Sequence, residues 1–91
     1  MSKVIRHKTG NPLHDLLLRA CPPHRETENG YVPDPDGIRS ISVLAYTLGM
    51  SRWGVHKWVK NNRVPPLKVK VMVENNPEAV SLEDFSPYVF G

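Results

Sequence analysis

Arg52, Trp53, His56, Lys57 and Lys60 lie within nine residues of one another, and their side chains suit contact with a polyanion. At about 100° per residue, a helix through this stretch puts Val55, Trp58 and Val59 on one side. Trp53, Lys57 and Lys60 then lie on the opposite side, flanked by Arg52 and His56. An arginine fork matches the two acceptors of guanine, an imidazole donates or accepts at a base edge, Lys57 suits either a base edge or a phosphate, and Lys60 suits phosphate. On that face Trp53 is suited to base or sugar contact. The plainer alternative is a solvated helix face, with the indole buried against a turn or used in a dimer contact.

Three further residues belong with this group. Arg63 follows the stretch and Arg39 precedes it, both suited to phosphate, and Ser51 is first a helix cap and second a phosphate ligand. The surrounding charge supports the grouping. From Ile38 to Val73 there is no Asp or Glu, while Arg39, Arg52, Lys57, Lys60, Arg63, Lys68 and Lys70 all fall in that window. The first ten residues add Lys3, Arg6 and Lys8, and the acids gather at Asp15, Glu26 to Asp36 and Glu74 to Asp84. The net charge of +3 is mild, but its segregation is what a nucleic-acid-binding face leaves in a sequence.

Positioning these side chains requires a rigid frame, and Ile41 to Lys60 has the layout of a helix-turn-helix. Ala45 is small where two helices cross closely, and Gly49 suits a sharp turn at positive φ. Leu44, Leu48, Met50, Val55 and Trp58 supply the apolar contacts that fix the angle between the helices. Ser40 caps a helix over 41–48, and Ser51 caps the next over 52–61. Upstream, Asn11-Pro12 opens a helix over 12–21 with Leu13, Leu16, Leu17 and Ala20 on one stripe, and Cys21-Pro22-Pro23 stops it. Residues 22–38 form a long acidic, proline-rich loop that Tyr31, Val32 and Ile38 can pin to the core as a short irregular hairpin.

After Val64-Pro65-Pro66 the pattern is divided. Leu67, Val69, Val71 and Val73 alternate as in a strand, whereas Val69, Met72 and Val73 have helical spacing, and a helix over 66–74 is favoured. Pro87 limits regular structure near the end, where Phe85, Tyr88, Val89 and Phe90 make an apolar tail that must dock on something.

Ninety-one residues suit one small domain, here 11–91 behind a flexible basic arm at 1–10. A polar start and the absence of any run near ~18 apolar residues predict a cytoplasmic chain with no membrane association. The single cysteine, Cys21, rules out an internal disulfide. Cys21 and His24 are only two metal ligands close in sequence, short of a four-ligand zinc site. No glycine-rich phosphate loop or paired-carboxylate motif occurs, so neither an enzyme nor a cofactor or metal is expected.

Leu44-Ala45, Leu48-Gly49-Met50-Ser51, Val55-His56-Lys57-Trp58-Val59 and Asn62-Arg63-Val64-Pro65 resemble the Cro-like phage repressors and the YdaS-like antitoxins. Val80 to Pro87 resembles the Val-x-x-Glu-Asp-Leu-x-Pro ending of those families. The resemblance spans about residues 38–90. Asn62 stands where those families carry glycine, Ile41 where glutamine is common, and the acidic insertion and basic leader depart from the pattern. The resemblance implies an all-α DNA-binding domain, and with the long loop read above between the first two helices the chain is expected to have four to five helices. The resemblance also implies a homodimer that represses transcription at a double-stranded operator. The alternative it raises is an antitoxin that binds a toxin through its apolar tail and autoregulates its operon.

Overall fold

The computed structural model describes residues 11–89, and the proposed basic arm, like Phe90, lies outside the described residues. In chain order the elements are α1 (Pro12–Ala20), β1 (His24–Thr27), β2 (Gly30–Pro33), α2 (Ile41–Leu48), α3 (Arg52–Asn61), α4 (Pro66–Asn75) and α5 (Leu82–Val89). The fold is mostly helical, but it is not all-α, because β1 and β2 pair as an antiparallel hairpin. Among the described residues no helix is long and apolar enough to cross a membrane.

Capping chemistry accounts for the helix boundaries. Asn11 Oδ1 accepts from the Leu13 and His14 amides, Ser40 Oγ from Val43, and Ser51 Oγ from Gly54. Each satisfies a first-turn N–H that the helix itself leaves without an acceptor. Two helices end in the left-handed conformation. Gly49 has φ 68°, with Met50 N–H donating to Ala45 O and Gly49 N–H to Tyr46 O. Asn62 has φ 56°, with Arg63 N–H donating to Trp58 O and Asn62 N–H to Val59 O. Both are Schellman endings. Asparagine is the side chain that best tolerates a position where glycine is otherwise usual. We therefore expect Asn62→Gly to leave thermal stability within about 0.5 kcal/mol, while Asn62→Val costs about 1–2 kcal/mol. Denaturation curves of the two variants check this.

The insertion at 22–38 is built on backbone hydrogen bonds. Register pairs His24 with Pro33, Arg25 with Val32, Glu26 with Tyr31 and Thr27 with Gly30. On its other side His24 exchanges both backbone hydrogen bonds with Ile38, at 3.0 and 2.7 Å. Gly37 lies flat on the His24 backbone, so that any Cβ there would collide with the His24 carbonyl. The His24 ring is buried and its Nδ1 lies 2.7 Å from Pro22 O, which can only accept. Tyr31 meets Tyr46 of α2 edge to face at 5.3 Å, as an aromatic pair prefers. Ile38 does not pin the loop as expected: its side chain is exposed and its backbone does the holding.

One core joins all five helices. Leu13, Leu17, Val43, Leu44, Val55, Met72 and Phe85 are fully or almost fully buried, and Trp58, Val69 and Val80 surround them. Ala45 is buried on α2, which packs on α3, α1 and α4. In α4 the divided pattern resolves as a helix. Val69 and Met72 point inward with Val73 against the core, while Leu67 and Val71 face outward.

Contrary to expectation, helix also continues through Pro87. The N–H that Pro87 lacks would have reached the carbonyl of Glu83, an exposed residue whose carbonyl solvent can satisfy. The start of α5 is reinforced by Asp84, whose Oδ2 accepts from Ser81 N–H at 2.9 Å. That hydrogen bond holds the Asp84 carboxyl below its ordinary value, and Arg19, 3.2 Å away, adds to the effect. Arg19 also donates to Ala79 O, tying α1 to the turn before α5. The Cys21 thiol is buried, and desolvation pushes its pKa up. Among the described residues no group of three His, Cys, Asp or Glu side chains is placed to hold a metal ion.

Candidate nucleic-acid interface

The candidate face lies on α3, which the core holds by one side only. Val55 is fully buried and Trp58 is 8% exposed, whereas Trp53, five residues earlier, is 67% exposed. Arg52, His56, Lys57 and Lys60 are exposed with Trp53, and Asn61 joins them along one open surface concavity. Five side chains singled out from the sequence are thus brought to one face. Asn61 is an addition. Its spacing from Lys57 placed it on this helix surface, but an asparagine beside a helix end reads first as a breaker.

Ser51, Arg39 and Arg63 are exposed too, but none of them lines this concavity. Ser51 accepts the Gly54 amide at 3.1 Å, which leaves its own O–H to donate. Arg39 precedes the Ser40 cap of α2 and directly follows Ile38, the residue clamped to His24. The hairpin therefore fixes the backbone from which Arg39 extends. Arg63 follows the left-handed turn at Asn62 and borders a small groove of about 280 Å³ with Trp58, Asn61, Val64, Pro65, Pro66 and Val89. The neighbouring Val64 N–H donates to Tyr88 O at 3.0 Å, so α5 secures the segment on which Arg63 stands.

Gly54 interrupts the helix with a residue that costs about 0.5–1 kcal/mol against alanine. From the sequence, it could allow close approach either to the preceding helix or to DNA. A Cβ at 54 would meet no backbone of α2; its nearest neighbour would be the terminal methyl of Met50, at 2.7 Å. That methyl ends a flexible side chain and can swing aside. We expect Gly54→Ala to raise the melting temperature by a few degrees, a shift that calorimetry or circular dichroism would detect. An unchanged or lower melting temperature would mean that Met50 cannot give way.

The described apolar residues near the C-terminus, Phe85, Tyr88 and Val89, do not project as a free tail. Phe85 is fully buried, and Tyr88 and Val89 pack against the core. On α3 the exposed face is polar and cationic with one indole on it, while Ile38, Tyr46, Leu67, Val71 and Leu82 are exposed elsewhere on the surface. No family model, no curated protein and no solved structure matches this chain.

Proposed function

We propose that this chain is a sequence-specific double-stranded-DNA-binding regulator of transcription, of the Cro-like phage or prophage type, with α2 and α3 as its helix-turn-helix. One observation carries the reading. The helix that follows the Gly49 turn buries Val55 and Trp58 and presents Arg52, Trp53, His56, Lys57 and Lys60 to solvent. A recognition helix needs such a polar, cationic outer face to enter the major groove. The absence of acids from Ile38 to Val73 keeps that face free of like-charge repulsion with phosphate.

The protein acts as a dimer on a near-palindromic operator, its two recognition helices about 34 Å apart. Leu67 and Val71, exposed one turn apart on α4, are apolar surface available for such pairing. Within each protomer Arg52 and His56 read base edges. Lys57, Lys60, Arg39 and Arg63 hold phosphates and set the register on the duplex. The antitoxin reading has less support, because among the described residues of the apolar tail Phe85 lies in the protomer's own core and Tyr88 and Val89 pack against it.

Selection of bound duplexes from a random pool, followed by affinity measurements on the winner and on random DNA, tests the proposal. Arg52→Ala should weaken the selected duplex about 5- to 150-fold and random DNA far less, the range expected for a bidentate base contact. Lys60→Ala should weaken both alike. A pool that yields no preferred duplex would overturn the proposal. Equal losses on both duplexes for both variants would overturn the division of roles.

A further inference from the structure

We infer that Trp53 makes the choice of DNA site depend on the C5 methyl group of a pyrimidine, so that thymine and 5-methylcytosine are accepted where uracil and cytosine are disfavoured. The inference rests on the proposal that α3 reads duplex DNA, and it assigns a task that none of the polar side chains on that face can perform.

Trp53 is the second residue of α3 and lies in its first turn. The N-terminal residues of a recognition helix are those that meet base edges. Every other side chain along the concavity (Arg52, His56, Lys57, Lys60 and Asn61) ends in hydrogen-bonding or charged groups. The indole has one donor, no acceptor and a broad apolar face. Among the features that base pairs display in the major groove, the apolar one is the C5 methyl of thymine. 5-Methylcytosine carries the same substituent at the same ring position. An exposed indole that met only hydrogen-bonding atoms there would leave them desolvated and unpaired, which is unfavourable.

The surroundings leave the ring open to this contact. Gly54, next in sequence, has no side chain to screen it, and Met50 lies over the Gly54 side of the turn. Trp58 already supplies the indole that the core uses, so Trp53 is free of that duty. The inference also makes a regulatory statement. Methylation of a cytosine at the facing position would strengthen binding instead of blocking it.

The test uses the full chain and the duplex obtained by selection. Each thymine is replaced singly by deoxyuridine, which removes the methyl group and preserves every hydrogen-bonding atom. We expect one thymine in each half-site to matter, with affinity falling about fourfold on its loss, the equivalent of one buried methyl. At that position a cytosine should bind more weakly than 5-methylcytosine by a similar factor. Trp53→Ala, a change at an exposed position, should keep the melting temperature and bind the thymine and deoxyuridine duplexes equally.

The inference is overturned if the wild-type chain binds every deoxyuridine duplex as tightly as the thymine parent. It is also overturned if Trp53→Ala retains the discrimination, or if that variant changes the oligomeric state while discrimination persists. These outcomes leave the selected duplex and its Arg52 dependence intact. Failure of the selection itself removes the DNA-reading proposal and this inference together.

Discussion

Replacing Phe85 by alanine is expected to cost about 3–5 kcal/mol, the range for deleting a buried aromatic ring. Phe85 is fully buried in the one core cluster, and the helix that carries it packs on α4. A domain of this size has only about 5–15 kcal/mol of stability in all. The variant should therefore melt some 15–30 °C lower, since 1 kcal/mol shifts a small domain by about 4–8 °C. DNA binding should be lost in step with folding, because α5 also receives the Val64 amide through Tyr88 and so steadies the segment after α3. Leu82→Ala on the same helix is the control. Leu82 is 61% exposed, and its removal should change stability by less than about 0.5 kcal/mol. Thermal unfolding followed by circular dichroism distinguishes the two. Comparable losses would show that α5 is not docked through Phe85.

Raising salt from 50 to 200 mM is expected to weaken operator binding by about 10³-fold or more. Arg39, Lys57, Lys60 and Arg63 are the phosphate-facing cations proposed for each protomer, and all four are exposed. Two protomers bring roughly eight such contacts, within the 6–10 for which released counterions produce a loss of that size. The logarithm of affinity should fall linearly with the logarithm of salt concentration. Lys60→Ala should reduce the steepness by about one for each protomer engaged, and Trp53→Ala should leave it unchanged because an indole displaces no counterion. Titrations by fluorescence anisotropy at four or five salt concentrations measure the slopes directly. A nearly flat dependence would contradict a phosphate-anchored interface, whatever the affinity at low salt.

The two slopes bear on separate halves of the interface, and the sequence disclosed those halves unequally. Which way α3 turns was legible. Val55, Trp58 and Val59 share one phase of a 3.6-residue repeat, and Trp53 lies opposite. The boundaries of α1, α2 and α3 were legible to within a residue because each carries its own local chemistry: Asn11-Pro12, Ser40, Gly49 and Ser51. In α4 the identities were informative but divided, since Leu67 and Val71 imitate a strand by alternating with Val69 and Val73. Tertiary packing decided for helix by burying Val69 and Met72 alone among these.

The regular strand pairing of the hairpin, expected only as an irregular one, and the extension of α5 were hidden for a different reason. His24, Arg25 and Glu26 have neither apolar alternation nor strong strand preference, and the pairing depends on backbone groups that every residue possesses. Gly37 shows its importance only once it is seen against His24. Pro87 marks a helix break when read locally. Its cost is tolerated here because Phe85 and Tyr88 on either side are anchored. Arg39 was singled out by charge, but the clamp that precedes it joins residues distant in sequence and could not be found that way.

The His24–Ile38 bridge has a consequence for how this chain can change over time. Because those two residues are hydrogen-bonded neighbours, the excursion between them leaves and rejoins the helical body at a single point. A segment closed at its base in this way can be lengthened at its tip with little disturbance to what lies beneath, provided Tyr31 keeps its place on Tyr46, since closing a loop twice as long costs only about 0.6 kcal/mol more. The tip of the acidic hairpin is thus the part of the molecule most open to the grafting of new segments, while the helix pair below keeps its geometry.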